Sequence, residues 1–298
     1  MLDDHITHLI DRIPKDRSAF DIQRLFFLLT MDSATHFLFG ESVGCMLPPS
    51  ETGGILERSA VGSAQGFADA FTTAQDYLSS RTRAQEIYWL INPKEFREAT
   101  RRVHEVVDHY VNLALESKRH PERKETSGRY VFLQALAADT DDPNMLRDYI
   151  LNILLAGRDT TASLLSSTFF YLARNPKVWN RLRREIIEEF GDSDHPRAEI
   201  THAKLKDIPY LRYVLNEGEY STPTRSFSSN QDLTMIPVLR LQPPVPMNFR
   251  VAIKDTSLPV GGGPRICLGR TFTFLVLFVT TRDDGRLTSI RTICPYRS

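Results

Sequence analysis

The sequence predicts a mainly α protein with one long central helix and little β-structure. Three observations lead there. Apolar residues recur at helical spacing along most of the chain. The stretch from Pro143 to Ala173 is an almost unbroken helical pattern of about thirty residues, ~45 Å at 1.5 Å each. Strand signals are weak and confined to about 249–260. With 298 residues, 41% of them apolar, the chain has enough material to bury roughly three quarters of its unfolded surface.

Each element has its own signature. Phe20, Ile22, Leu25, Phe26, Leu29 and Ala34 keep mostly helical spacing up to Phe39, and Gly40 and Gly44 close the run, which predicts a buried helix. Pro48, Pro49, Gly53 and Gly54 make a loop, and 55–80 reads as a helix interrupted by Gly62 and Gly66. Pro93, a first-turn proline after Asn92, opens a long amphipathic helix marked by Phe96, Val103, Val106, Val107, Tyr110, Val111 and Ala114. It ends in a solvated linker, "KRHPERKETSGR" at 118–129, and a short helical piece follows at 130–138. Asp142 and Pro143 then pair as N-cap and first residue of the long helix. Its middle, "ILNILLAGRDTTASLL", is apolar on nearly every face, which predicts a central and buried position. Asn175 and Pro176 cap the next helix, whose Val178, Leu182, Ile186 and Ile187 face inward. A last helix is expected from Asp207 to Glu217, with Leu211, Val214 and Leu215 inside.

Composition excludes several functions. Thirty-seven basic and thirty-seven acidic residues cancel, so no global field favours nucleic acid or anionic lipid. Cys45, Cys267 and Cys294 are too few and too scattered for a disulfide framework, fit a reducing compartment, and leave room for one cysteine with a special task. The charges between Asp3 and Arg17 are incompatible with a signal peptide. The longest apolar runs, "LFFLL" at 25–29 and "FLVLFV" at 274–279, fall far short of the ~20 residues that cross a bilayer, which leaves peripheral membrane association open. His5 with His8, and His104 with His109, lack a glutamate or cysteine set that completes a zinc site, and surface positions are expected for them. No G-x-S-x-G elbow occurs, and "GGGP" lacks the Lys-Ser/Thr of a phosphate loop.

Two segments carry chemistry. Inside the long helix, "AGRDTT" at 156–161 sets a glycine, an acid and two hydroxyls in an apolar stretch. Burying an unpaired Asp159 costs several kcal/mol, so it needs a partner or a use. A structural alternative has Thr160 back-bonding to the preceding turn and Asp159 reaching a neighbouring arginine. Farther on, "GGGPRICLGR" at 261–270 presents Cys267 among glycines, with Arg265 two residues before it. A thiolate needs a positive or hydrogen-bonding environment, and glycine-rich backbone can turn N–H groups toward sulfur. Haem iron accepts such a thiolate, whose electron donation favours O–O cleavage. Taken separately, Cys267 also reads as a small buried hydrophobe and the glycines as a turn.

Together these segments resemble the cytochrome P450 haem-thiolate monooxygenases, and within them the fungal hydroxylases of n-alkanes and fatty acids. The resemblance covers about Phe20 to Leu258 and the patch Gly263 to Gly269, with "LRYVLNE" at 211–217 and "LRLQPPVPMNFRVA" at 239–252 pointing to the hydroxylase subgroup. It implies haem b as cofactor, with Cys267 as axial iron ligand, Arg265 pairing with a propionate and Gly269 allowing close backbone approach. By the same resemblance Asp159 and Thr160 relay protons toward dioxygen, while Ala156 and Gly157 leave room above the iron. It further implies electrons from NADPH through NADPH-cytochrome P450 reductase, a small lipophilic substrate, no nucleic-acid partner, and the cytosolic face of the endoplasmic reticulum membrane. Without the family's anchor before Met1, a cytoplasmic location is the other expectation.

The sequence also departs from the family pattern, and the expected fold is a single, incomplete P450-like helical domain over 1–298. The family's E-x-x-R pair is broken, because Glu217 is followed by "GEYSTPTRSFSSNQDLTMIP" at 218–237 before Arg240. Removing that polar, Pro- and Ser-containing segment restores Glu217-Val238-Leu239-Arg240, which marks 218–237 as an insertion such as a translated intron. Between Leu258 and Arg265 the family's meander and third arginine are absent, "LPVGGGP" running straight into "RICLG". The tail 270–298 is unlike the family's haem-packing helix. These departures support the rival expectation of an inactive, cofactor-free helical remnant or binding module of the same family.

Overall fold

The computed structural model describes residues 2–16, 18–47, 63–119, 131–192, 195, 197, 198, 200, 201, 204, 205 and 208–215. Among these residues it is helical, without a β-strand. The elements are α1 (Leu2–Asp11), α2 (Ile22–Phe39), α3 (Ala64–Ala84), a 3-10 helix (Gln85–Leu90), α4 (Lys94–Arg119), α5 (Phe132–Asp139), α6 (Pro143–Arg174), α7 (Pro176–Phe190) and α8 (Pro209–Leu215). The expected loop at 48–54, residues 55–62 of the helix expected over 55–80, residues 120–129 of the linker expected at 118–129 and the weak strand signals at 249–260 lie outside the described residues, as does everything from 216 onward, while Lys118 and Arg119 are the end of α4 rather than linker.

Side-chain caps explain several of the helix starts. Asp21 starts α2 by accepting from the amides of Gln23 (2.9 Å) and Arg24 (3.3 Å). Asp142 does the same for α6 through Asn144 (2.9 Å) and Met145 (3.4 Å), with Pro143 at the first position. Two boundaries differ from expectation. Gly66 does not interrupt α3: its amide donates to the Ser63 N-cap at 3.2 Å, so it belongs to the first turn. Asn175 is the N-cap before Pro176 as expected, its carbonyl accepting from the amides of Val178 (3.0 Å) and Trp179 (3.1 Å), but its side-chain amide donates backward to the Tyr171 carbonyl at 2.9 Å instead of capping α7. A further helix, α1, is not among the elements that periodicity predicts; its Ile6 and Leu9 are buried one turn apart, and its Asp3 and Asp4 suit a helix N-terminus.

The described residues divide into two compact units, one comprising those within Asp3–His8 and Phe27–Arg158, the other those within Leu9–Phe26 and from Asp159 to Leu215. In the first, α3 packs along α4, and α4 along α5. The apolar stripe of α4 (Val103, Val106, Val107, Tyr110, Val111, Ala114) is buried, which is what its spacing predicts. Tyr110 stacks on Phe39 at 4.1 Å between ring centroids, and its hydroxyl donates to Glu41 at 2.9 Å. Burial and the Glu41 carboxylate push that phenol well above the usual tyrosine range. Asp32, mid-helix in α2 and 1% exposed, accepts from the amides of Cys45 (2.7 Å) and Met46 (2.8 Å) and ties the loop after α2 to the helix.

In the second unit, Phe26, Phe169 and Trp179 form an aromatic row with centroids 5.3 and 6.0 Å apart. Leu182, Ile186 and Phe190 bury the inner stripe of α7, and the Arg181 guanidinium lies 4.2 Å from the Tyr210 ring of α8. Leu211 and Val214 are buried as expected. Gly191 ends α7 with φ +77°, and a Cβ built there would collide with the His195 carbonyl oxygen. Gly191→Ala is therefore expected to cost about 2 kcal/mol, part left-handed strain and part displaced backbone. A lowered thermal midpoint checks it.

One histidine departs from the surface position expected of it. His5 is 5% exposed and puts Nε2 3.0 Å from Nδ1 of His36, because α1 lays its inner face toward α2. Burial first, then the charges of His36 and His8, lower its pKa from 6.5 to about 4. The folded protein thus resists protonating His5 while the unfolded chain accepts the proton below about 6.5. Stability is expected to fall by about 2–3 kcal/mol between pH 6.5 and 4 and then level off. Urea titrations of the protein and of His5→Leu across that window test this, the variant losing the slope.

Candidate functional site

The motif "AGRDTT" occupies one turn and a half of α6. Helical spacing gives this helix two stripes. Leu146, Ile150, Leu154 and Arg158 are all buried, Arg158 at 4% exposure. On another side Met145, Tyr149 and Ile153 keep 43%, 41% and 36% of their surface, and Ala156 is exposed. This corrects the expectation of a helix buried on nearly every face. An apolar composition all round says that something must cover each face, and among the described residues one face lacks that cover.

Gly157, Asp159 and Thr160 are half-buried, and Thr161 is buried. A Cβ built on Gly157 would meet nothing within 4 Å, so the backbone there borders open space. Thr160 lies four residues after Ala156 and shares its stripe. Asp159 and Thr160 both have interaction partners. Farther along, Ser166 and Thr168 return their hydroxyls to the carbonyls of Ala162 and Leu164, both at 2.7 Å, so polar side chains inside this apolar helix are satisfied locally.

Arg158 was not singled out from the sequence. Its Nη2 donates to the Thr72 hydroxyl of α3 at 2.8 Å, and its guanidinium lies 4.9 Å from the Phe27 ring and 5.1 Å from the Phe71 ring. It also acts electrostatically on the buried Cys45 thiol, which burial raises well above its usual range. The signal was positional: Arg158 is four residues past Leu154 and eight past Ile150, on the buried stripe.

A shallow surface groove elsewhere is lined by Phe96, Thr100, His104 and Asp108 of α4 with Arg147 of α6, and no motif residue borders it. Among the described residues, no cluster of three His, Cys, Asp or Glu could hold a metal ion. The remaining expected site residues, Cys267, Arg265, Gly269, Glu217 and Arg240, lie outside the described residues.

A porphyrin requires a helix that approaches it without side-chain bulk. The exposed Ala156 and the open space at Gly157 meet that requirement, so the residues present fit haem on the side they form. Comparison with known proteins follows the same line. The family model described as "Cytochrome P450" matches residues 1–218. Cytochrome P450 52A12 of Debaryomyces hansenii is 47% identical over 291 residues, 95% of this chain and 52% of the relative. Cytochrome P450 52A3-A of Candida maltosa is 44% identical over 264 residues, 88% of this chain and 46% of the relative. For cytochrome P450 52A7 of Candida tropicalis the figures are 45% over 251 residues, 84% and 45%. The chain spans about half the length of the curated relatives it matches.

Proposed function

The chain belongs to the cytochrome P450 family, and from that premise we propose that it serves a haem-dependent monooxygenase hydroxylating aliphatic substrates such as n-alkanes or fatty acids. The observation that carries the reading is the open side of α6 at Ala156 and Gly157, one helical turn from Thr160. Cys267 would ligate the iron, Arg265 would pair with a propionate, and Gly269 would let the backbone approach the ring. When bound, haem supplies dioxygen activation, which thiolate donation favours.

The chain's own residues prepare that site. Ala156 and Gly157 keep the helix surface low, so a flat group and a small lipophilic substrate can share the space. The Thr160 hydroxyl and the Asp159 carboxylate hold and pass protons on the same turn. The buried Arg158 fixes the rotation of α6 through Thr72 and so fixes which residues face the opening. Electrons from NADPH through NADPH-cytochrome P450 reductase, and a place at the cytosolic face of the endoplasmic reticulum membrane, complete the proposal. The structural motif Glu217 and Arg240 enters it as one E-x-x-R pair, with 218–237 an insertion in a single P450-like domain.

The test is a reduced carbon-monoxide difference spectrum of the expressed chain with haem supplied. A thiolate-type Soret band that Cys267→Ser abolishes is the expected result, with Thr160→Ala sparing the band while uncoupling oxygen consumption from product. Absence of the band in the parent chain overturns the reading in favour of a cofactor-free remnant. Sequencing the transcript across Asn216 to Arg240 tests the insertion, a mature message containing the segment being the result against it.

A further inference from the structure

The open face of α6 is not uniformly apolar. Met145, Tyr149 and Ile153 are exposed there, and Asp148, Asn152 and Ala156 are exposed with them. Positions 145, 149, 152 and 156 follow one another three or four residues apart and form one stripe, with Asp148 and Ile153 on its flanks. The stripe ends at Ala156 and the open backbone of Gly157, where a Cβ would meet nothing within 4 Å. Its earlier part carries a phenol, an amide and a carboxylate.

These polar groups are uncommitted, unlike others on the same helix. Arg147 gives Nη1 to Asp108 of α4 and Nη2 to Asn144, and Ser166 and Thr168 return their hydroxyls to backbone carbonyls. Among the described residues, the Tyr149 hydroxyl and the Asn152 amide have no hydrogen-bond partner. Asp148 comes within 3.9 Å of Arg147 and keeps 69% of its side chain exposed. Covering an amide and a phenol without answering them is unfavourable, so the occupant of this face has to supply a polar group beside its apolar surface.

The pattern selects that occupant. A pure hydrocarbon offers nothing to Tyr149 or Asn152. A carboxylate accepts from both, but it meets the like charge of Asp148, one turn before Asn152. A hydroxyl accepts from the phenol or the amide N–H and donates to the amide oxygen, so donors and acceptors are satisfied together without a charge. Tyr149 and Gly157 are eight residues apart, ~12 Å at 1.5 Å each, which a medium-chain aliphatic molecule lying along the helix can span.

We propose that Tyr149 and Asn152 are specificity-determining residues that hold the hydroxyl head of a medium-chain aliphatic alcohol, its chain over Ile153 and its far carbons at Ala156 and Gly157. The inference rests on the reading of that opening as the place where an aliphatic chain is hydroxylated. It adds that the alcohol is favoured over both the alkane and the fatty acid of equal length, with its oxygen held away from the reacting end. A site built to hydrogen-bond a hydroxyl rejects the analogue lacking it more strongly than an apolar wall can.

Equilibrium dialysis of the chain, haem supplied, against radiolabelled decanol, decanoate and decane carries the test. Decanol is expected to bind about tenfold more tightly than either of the others, two neutral hydrogen bonds being made. Tyr149→Phe and Asn152→Leu should each weaken decanol about threefold and together remove its advantage over decane. Decane binding and the circular-dichroism spectrum should stay unchanged, since both side chains are exposed. Asp148→Asn should raise decanoate affinity and leave decanol as it was. A parent chain that binds decanol no better than decane overturns the inference, as does an advantage that survives the double variant. The thiolate band of the reduced carbon-monoxide spectrum reports on haem separately. With the band present and no decanol advantage, this inference alone fails; with the band absent and an advantage lost only in the double variant, the haem reading fails and the alcohol seat stands.

Discussion

Asp32→Ala is expected to destabilise the protein by about 3–4 kcal/mol. Both carboxylate oxygens are committed, one to the amide of Cys45 at 2.7 Å and the other to the amide of Met46 at 2.8 Å. Those residues are 4% and 2% exposed, so alanine leaves two buried N–H groups beyond the easy reach of water, each costing about 1–3 kcal/mol. Relief of the buried carboxylate's own desolvation offsets part of this. Burial is the largest influence on Asp32 and raises its pKa above 3.8 against the pull of the Met46 and Cys45 amides. Asp32→Asn keeps the shape and one acceptor oxygen and should cost only about 1–2 kcal/mol. Thermal unfolding and hydrogen exchange at the two amides check the pair: alanine should release both amides, asparagine one. Equal loss in the two variants would mean the carboxylate is not the acceptor that matters.

The same shift has a sign opposite to that of His5. Because the folded state binds the Asp32 proton more tightly than the unfolded chain, its contribution is fully present below 3.8 and is lost as pH rises through the raised folded value. Acidification thus weakens the protein through His5 between 6.5 and about 4 and strengthens it through Asp32 as pH falls from the raised folded value to 3.8. Asp32→Asn should steepen the net acid response by removing the opposing group.

Periodicity made the helices legible where one face alone is buried. The stripe of α4 and Val178, Leu182 and Ile186 of α7 fell where the spacing put them, since the core selects apolar residues at that period, whereas Ile187 is half-buried and Phe190 takes the next inner position. It failed in two physical situations. α1 is short and rich in charge, so its Ile6 and Leu9 were outweighed by Asp3, Asp4 and His8, although the acids sit where a helix N-terminus favours them. In α6 the pattern could not say which apolar face is covered by the described body, because composition records a demand for burial and not its fulfilment.

Polar residues inside helices were the least legible. The motif "AGRDTT" drew attention to Asp159 and Thr160, yet the residue that anchors this turn to α3 is the arginine between Gly157 and Asp159. Asp32, likewise embedded in an apolar run, gave no signal because its partners are backbone amides thirteen and fourteen residues on, and every residue type except proline supplies one of those. The cysteine loop was read by motif alone, and it lies outside the described residues, so it stands on the family pattern.

Arg158→Ala is expected to cost about 3–4 kcal/mol, and the way that cost divides among substitutions identifies what the side chain does. Its stem and guanidinium fill space between the Phe27 and Phe71 rings, its head donates to Thr72 at 2.8 Å, and 4% of it reaches solvent. Alanine removes the packing, a desolvated cation–π pair worth about 2 kcal/mol, and a charge-assisted hydrogen bond, against which stands the recovered desolvation of the cation. Arg158→Met keeps the stem volume and should recover about half of the loss, isolating the contribution of the charged head. Arg158→Lys restores charge but not the planar fork that spans two rings and a hydroxyl, so it should resemble methionine rather than the parent. Denaturation midpoints give the three costs, and hydrogen exchange along α3 at Thr72 shows whether α6 has lost its hold. If lysine restores full stability, charge alone suffices and the two-ring seat has no role in setting the rotation of α6.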